Sequence, residues 1–224
     1  VPEGRSLAEM EGSVPGAPGE VRLQWWPRGG VGIRASTGWE PVDPTRDFTR
    51  QFHIVDQLRA QTDYEFLVEG RAFGEEEAQC SLITSFRTAP EEEVQAPVTF
   101  TVITGQEYAR RDDELGGHRI FAHMQALAPD FFVHTGDVVY HDKPGPFAKS
   151  PALARYKWNR IYSMPLQRSF HTVVPSWFMT DDHDVLKNDC WPGQSYGELS
   201  WDEGLNIFRE QTPTGPRPYR RLRW

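Results

Sequence analysis

Asp130-Phe131-Phe132-Val133-His134-Thr135-Gly136-Asp137-Val138-Val139-Tyr140-His141-Asp142 is an apolar run that breaks at a glycine into a cluster of polar side chains. A short apolar run closed by a turn signal reads as a buried strand, here 130–135, and the polar cluster as the loop at its carboxyl end. Upstream, residues 118–128 place Ile120, Phe121, Met124, Leu127 and Ala128 on one helical face, and 98–104 form another compact strand. Strand, helix, strand predicts a right-handed crossover in an α/β domain, with chemistry gathered in loops at the strand carboxyl ends. Downstream the pattern predicts helices over 153–162 and 202–209, the latter opened by Ser200 and Glu203 in capping-box spacing, with a third strand over 172–180 between them.

Before residue 98 the pattern is different. Between residues 19 and 88 short runs separated by turn residues predict strands at 20–26, 32–37, 48–55, 63–72 and 79–88. Tyr64, Phe66 and Val68 alternate with Glu65 and Glu69, as one buried and one solvated face require. Prolines and a charge run at 91–97 read as an exposed linker. The domain expectation is therefore 1–90 all-β, 91–97 linker and 98–224 α/β, without internal repeats.

The 224 residues are 38% hydrophobic and 25% charged with a net charge of -8, an acidic balance that disfavours sequence-specific nucleic acid as a partner. No apolar stretch is long enough for a transmembrane helix, and the opening Val1-Pro2-Glu3-Gly4 lacks the parts of a signal peptide. Cys80 and Cys190 are too few and too far apart for a disulfide framework. Cys80 is expected to be a small buried residue of a strand, and Cys190 a member of a polar loop.

Two loops carry chemistry. Asp137 can bridge two cations through its two carboxylate oxygens, and Tyr140 can add a phenolate suited to ferric iron. Gly136 would let the backbone approach a metal. The second loop, Thr180-Asp181-Asp182-His183-Asp184, crowds three carboxylates around one imidazole, which is electrostatically costly without a cation. Beyond it, Lys187 and Asn188 either face phosphate oxygens or belong to a solvated loop. Arg155, Lys157 and Arg160 either complete a phosphate pocket or lie on a surface helix face. His134 either orients Asp137 or packs under its loop, and His141 and Asp142 are equally open.

Leu58-Arg59-Ala60-Gln61-Thr62-Asp63-Tyr64 with Phe86-Arg87-Thr88-Ala89-Pro90 resembles the fibronectin type III family at its tyrosine corner and last strand. That resemblance implies a β-sandwich with Tyr64 in a structural role. Gly136-Asp137-Val138-Val139-Tyr140 with Asp181-Asp182-His183-Asp184 resembles the PhoD-like alkaline phosphatase D family and, more distantly, purple acid phosphatases. The resemblance implies the first half of a four-layer α/β/β/α metallophosphatase domain and an exported protein. It also implies a binuclear centre of Fe(III) and Ca(II), other divalent metals being alternatives, with Asp137 bridging, Tyr140 on iron, Asp182 toward the second metal and His183 near the leaving group. Gly105, in Thr104-Gly105-Gln106-Glu107-Tyr108, stands where that family carries a cysteine ligand, so either Gln106, Glu107 or water substitutes or the first metal is bound weakly.

The expected activity is metal-assisted hydrolysis of phosphomonoesters or phosphodiesters, with His183 protonating the leaving alcohol. Further ligands are expected from a carboxyl-terminal half of the domain that this chain lacks, since the chain reads as stopping inside a strand at Arg223-Trp224. The rival expectation is a non-catalytic binding module attached to a degraded phosphatase domain.

Overall fold

Alternation decides the architecture before residue 98. The computed structural model describes residues 16–30, 34–54 and 58–214, whose contacts separate them into two units, 16–98 and 99–214. The first unit holds β1 (Glu20–Pro27), β2 (Ala35–Ser36), β3 (Glu40–Pro41), β4 (Asp63–Arg71) and β5 (Cys80–Arg87). They form one antiparallel sheet in the order β2-β1-β4-β5, with β3 also paired to β1. Leu23, Trp25, Tyr64 and Phe66 point to one face and form its core. On the β1 and β4 strands Trp25 lies opposite Phe66, their rings stacked 6.5 Å apart. Arg22 and Gln24 point the other way and both bond Glu69, and the Trp39 ring lies under the guanidinium groups of Arg22 and Arg71 at 4.5 and 4.2 Å. The Tyr64 hydroxyl accepts a hydrogen bond of 2.9 Å from the Arg59 backbone N–H, the structural role read from the sequence.

Three expectations for this unit change. A second facing sheet is not present among the described residues. The strand expected at 48–55 is irregular over its described part, because Asp47 and Phe48 take φ of 55° and 57°, left-handed values that break an extended run. Residues 32, 33 and 55 of the expected strands, like Arg223 and Trp224, lie outside the described residues. Cys80 is exposed, because β5 is an edge strand and its Sγ rests against Gly70 rather than in the core; both cysteines are free. Residues 91–97 carry neither helix nor strand and are mostly exposed.

The second unit is built on three parallel strands, β6 (Phe100–Ile103), β7 (Phe131–His134) and β8 (Ser176–Phe178), in that spatial order. The crossover from β6 to β7 contains α1 (Ile120–Ala126), and α2 (Pro151–Ser163) and α3 (Pro165–Val173) lie between β7 and β8. After β8 come the short α4 (Asp182–Val185), a ribbon of β9 (Ser195–Tyr196) and β10 (Leu199–Ser200), and α5 (Trp201–Gln211). Phe121, Met124, Phe170 and Val174 close over Phe132 and Ile103 on one face of the sheet. Phe100 and Val102, on the other face of β6, remain half exposed. Of the four layers expected for a complete domain, the described residues supply this sheet and the helices on one of its faces.

The expected helix at 118–128 is shorter, and only Phe121 and Met124 of its apolar residues are buried, while Ile120 and Leu127 are exposed. The expected strand at 172–180 begins later. Residues 172 and 173 belong to α3, and Pro175, unable to continue a helix, marks the change to β8. The capping box of α5 forms as read, with Ser200 and Glu203 bonding each other's backbone.

Candidate metal centre

Because β7 and β8 are parallel neighbours, the loops leaving their carboxyl ends start side by side. Gly136 lets them touch. It has φ 116°, and a Cβ there would lie 2.6 Å from the Asp181 Cβ. The glycine serves the approach of one loop to the other, a role that the sequence did not suggest. Asp137 follows at φ 56°, an uncommon value for a residue with a side chain.

Asp184 holds both loops. Its carboxylate is wholly buried and accepts the backbone N–H of Asp137, Val139 and Asp181, each at 2.9 Å. The Asp181 bond belongs to the capping box that opens α4. Burial pushes the Asp184 carboxyl up to about 8, against the opposing pull of the backbone donors.

This clamp brings Asp137, Asp182 and His183 together, with one potential ligand atom of each within 4.8 Å of the others. The Tyr140 hydroxyl donates to Asp137 Oδ2 at 3.0 Å, and its ring lies 4.5 Å from that of His183. Asp137 Oδ1 is buried without a hydrogen-bond partner among the described residues. A buried carboxylate oxygen left unpaired beside an imidazole and a second carboxylate suits a hard or borderline cation. Burial raises the Asp137 pKa, opposed by the Tyr140 hydroxyl and the neighbouring His183. Burial and then the Asp137 carboxylate hold the Tyr140 phenol well above its usual range, so without a cation it stays a donor. Asp142 Oδ1 lies 2.7 Å from His183 Nδ1, which directs that nitrogen to the carboxylate and leaves Nε2 free of it. The second Asp142 oxygen accepts the Asn188 backbone N–H at 3.1 Å.

Gly105 faces this group. Its N–H donates to the Gly136 carbonyl at 3.0 Å, and a Cβ there would lie 3.0 Å from the Tyr140 hydroxyl. Gln106 is buried with its side chain beside the Tyr162 hydroxyl, whereas Glu107 is tied to Arg110 at 3.4 Å and Lys143 at 3.9 Å. A cavity of about 520 Å³ extends from Gly105, Asp137 and Tyr140 toward Arg110, His118 and Ile120.

The remaining sequence candidates fall elsewhere. The Asn188 side chain donates to Asp189 rather than pointing a free amide at the centre, and Lys187 is half-buried. Lys157 and Arg160 are neither a phosphate pocket nor a surface face. Both are buried, Lys157 donating to the Tyr140 carbonyl at 3.0 Å and to that of Pro144, and Arg160 bonding the Gly145 carbonyl and covering the Tyr108 ring at 4.0 Å. These cations brace the segment after Tyr140 from below. Arg155 pairs with Glu210 through two bonds of 2.8 Å. His134 packs under the first loop with Nδ1 accepting the Gly136 N–H at 3.3 Å, and His141 donates from Nδ1 to the Val185 carbonyl at 3.2 Å. Burial lowers each to about 4. Sequence reasoning missed the roles of Asp184 and Asp142. The Asp181-x-x-Asp184 spacing was a capping signal, but nothing in one dimension showed Asp142 reaching across to His183.

A family model for PhoD-like phosphatases matches residues 100–220, more than half of the chain and the whole of both loops. The chain belongs to the PhoD-like phosphatase family. A solved PhoD structure superposes with a TM-score of 0.64 at 18% identity, covering 94% of this chain and 41% of that one. A purple acid phosphatase from yellow lupin (Lupinus luteus) seeds superposes with a TM-score of 0.57 at 13% identity, covering 90% of this chain and 37% of that one. No curated protein matches by sequence. At these identities the two structures support the fold alone, and this PhoD-like chain spans less than half the length of either. No helix among the described residues is long and apolar enough to cross a membrane.

Proposed function

We propose that this chain carries the first metal-binding half of a phosphoester hydrolase. The observation that carries the reading is the convergence of Asp137, Asp182 and His183, with Asp137 Oδ1 buried and unpaired and the Tyr140 hydroxyl already on the other Asp137 oxygen. Asp137 would bridge two metals, Tyr140 would bind a ferric ion and Asp182 a second cation such as Ca(II). The metals supply a polarised phosphoryl group and a water of lowered pKa. His183 protonates the departing alcohol from Nε2. Asp142, at 2.7 Å from Nδ1, fixes the orientation of the ring and keeps Nε2 turned away from that carboxylate. Further ligands come from a longer form of the domain, because three side chains fall short of the five or six donors that each hard cation takes. We read residues 16–98 as a fibronectin type III-like unit, supported by the Tyr64 hydroxyl on the Arg59 backbone, and the protein as exported, as its family suggests.

The test is ferric iron added to the purified chain and to a version extended to a complete catalytic domain, followed by visible absorption and nitrophenyl phosphate hydrolysis. Phenolate bound to iron gives a visible band that Tyr140→Phe must abolish. The short chain is expected to bind weakly and turn over poorly, and the extended one to bind tightly and be active. A colourless, inactive extended protein would leave the binding-module reading in its place.

A further inference from the structure

A capping box asks little of the acidic residue at its third position: one hydrogen bond to the backbone of the capping residue. Asp184 provides that bond to Asp181 and accepts two more from a different loop, at Asp137 and Val139. Those two bonds do nothing for α4. They span residues i and i+2 of the first loop, so that loop curls around the carboxylate, and they accompany the left-handed φ of Asp137, a conformation that residues with a side chain seldom hold unless their surroundings enforce it. One oxygen, Oδ2, is shared by Asp137 of the first loop and Asp181 of the second. The two ligand-bearing loops are thus fastened through a single atom, in a place that Gly136 keeps narrow.

We propose that Asp184 is a positioning residue for the metal centre: it holds the Asp137 loop against the Asp182–His183 turn so that their ligand atoms converge before any metal arrives. Every hydrogen-bond partner is a backbone N–H, two on Oδ2 and one on Oδ1, so both carboxyl oxygens face donors. Asparagine in its place would turn an amide N–H₂ toward at least one backbone donor, with nearly the same shape. Groups that position ligands in this way are usually worth 10- to 100-fold in metal affinity. The inference rests on the metal-centre reading and has a part that can be tested without it.

The experiment compares the unaltered chain, Asp184→Asn and Ser200→Ala by Mn²⁺ titration calorimetry, thermal unfolding in EDTA and amide hydrogen exchange. Ser200→Ala removes the cap of α5, a helix that packs on α4 but gives neither loop a hydrogen bond through Ser200, and serves as the destabilising control. Asp184→Asn is expected to weaken Mn²⁺ binding at least tenfold, while Ser200→Ala leaves affinity within twofold. In the metal-free unaltered chain the amides of Asp137, Val139 and Asp181 should exchange as slowly as those of β7, and in Asp184→Asn those of Asp137 and Val139 should exchange faster. Unchanged affinity in a folded Asp184→Asn protein overturns the proposal. If that variant does not fold, fast exchange at the three amides of the unaltered metal-free chain overturns it and slow exchange upholds it. If the unaltered chain and its extended form bind no Mn²⁺, the metal-centre reading fails, while the exchange result still decides whether the loops are fastened in advance.

Discussion

Acidification should destabilise residues 99–214 through three histidines buried in their neutral form. Burial lowers His134 and His141 to about 4 and His171 to about 3. In the unfolded chain each titrates near 6.5, so the folded form binds fewer protons below that pH. The stabilisation from a depressed histidine is complete above the unfolded pKa and is lost as pH falls toward the folded one. At pH 5, about 1.5 units below the unfolded value, each histidine withdraws about 2 kcal/mol, or about 6 kcal/mol for three. Asp184 works in the opposite direction. With its folded pKa raised to about 8 it favours the folded state at low pH and loses that contribution as pH rises through 8. Between pH 7 and 5 it returns about 2 to 3 kcal/mol, leaving a net loss of about 3 kcal/mol out of a typical stability of 5–15 kcal/mol. Urea unfolding in EDTA at pH 7 and pH 5 measures this, and His141→Gln should remove about a third of the histidine contribution. None of the four groups lies within residues 16–98, so a separate transition of that unit should not follow them. An equal or higher midpoint at pH 5 for residues 99–214 would refute the reasoning.

Gly136→Ala should destabilise the second unit by about 3 kcal/mol, because an added methyl meets Asp181 in a backbone conformation that alanine avoids; a change below about 1 kcal/mol in urea unfolding would show that the loops part easily. Gly105→Cys should cost about 1 kcal/mol of metal-free stability at φ 65° yet raise Zn²⁺ affinity tenfold or more, since the new thiolate points toward Tyr140 and Asp137; calorimetry showing no gain would mean that the position does not face the metals. In the extended, active protein, His183→Ala and Asp142→Asn should both slow alkyl phosphates far more than nitrophenyl phosphates, which need little protonation on departure. Equal losses on both substrates would remove His183 from the proton-donor role.

Much of the second unit could be read in one dimension because its signals are local. The apolar run ending at Gly136, the strand at 100–103 and the Ser200–Glu203 box each announce themselves within a few residues. The boundary at α3 could not be read as easily, since the apolar pattern of 165–178 serves a helix first and a strand next, and only Pro175 marks the change. The cations of α2 show the same limit. Lys157 and Arg160 look like surface or phosphate-binding residues until the segment after Tyr140 folds over them and offers its carbonyls. Asp137, Tyr140, Asp182 and His183 were picked out by the polar crowding of two loops together with the family resemblance. Their support was not, because Asp142 reaches His183 across 41 residues and Asp184 reaches Asp137 across 47.

That long reach has a kinetic consequence. The bonds of Asp184 to the first loop close a loop of 47 residues containing α2 and α3, and the contact of Gly136 with Asp181 needs β7 and β8 already in register. Contacts so distant in sequence are made after local helices and neighbouring strands, since the entropy of closure must be met before they give anything back. The ligands therefore converge late in folding. Metal added to the denatured chain should leave the rate of refolding nearly unchanged and act instead on unfolding, by slowing the escape of a site that the polypeptide alone assembles.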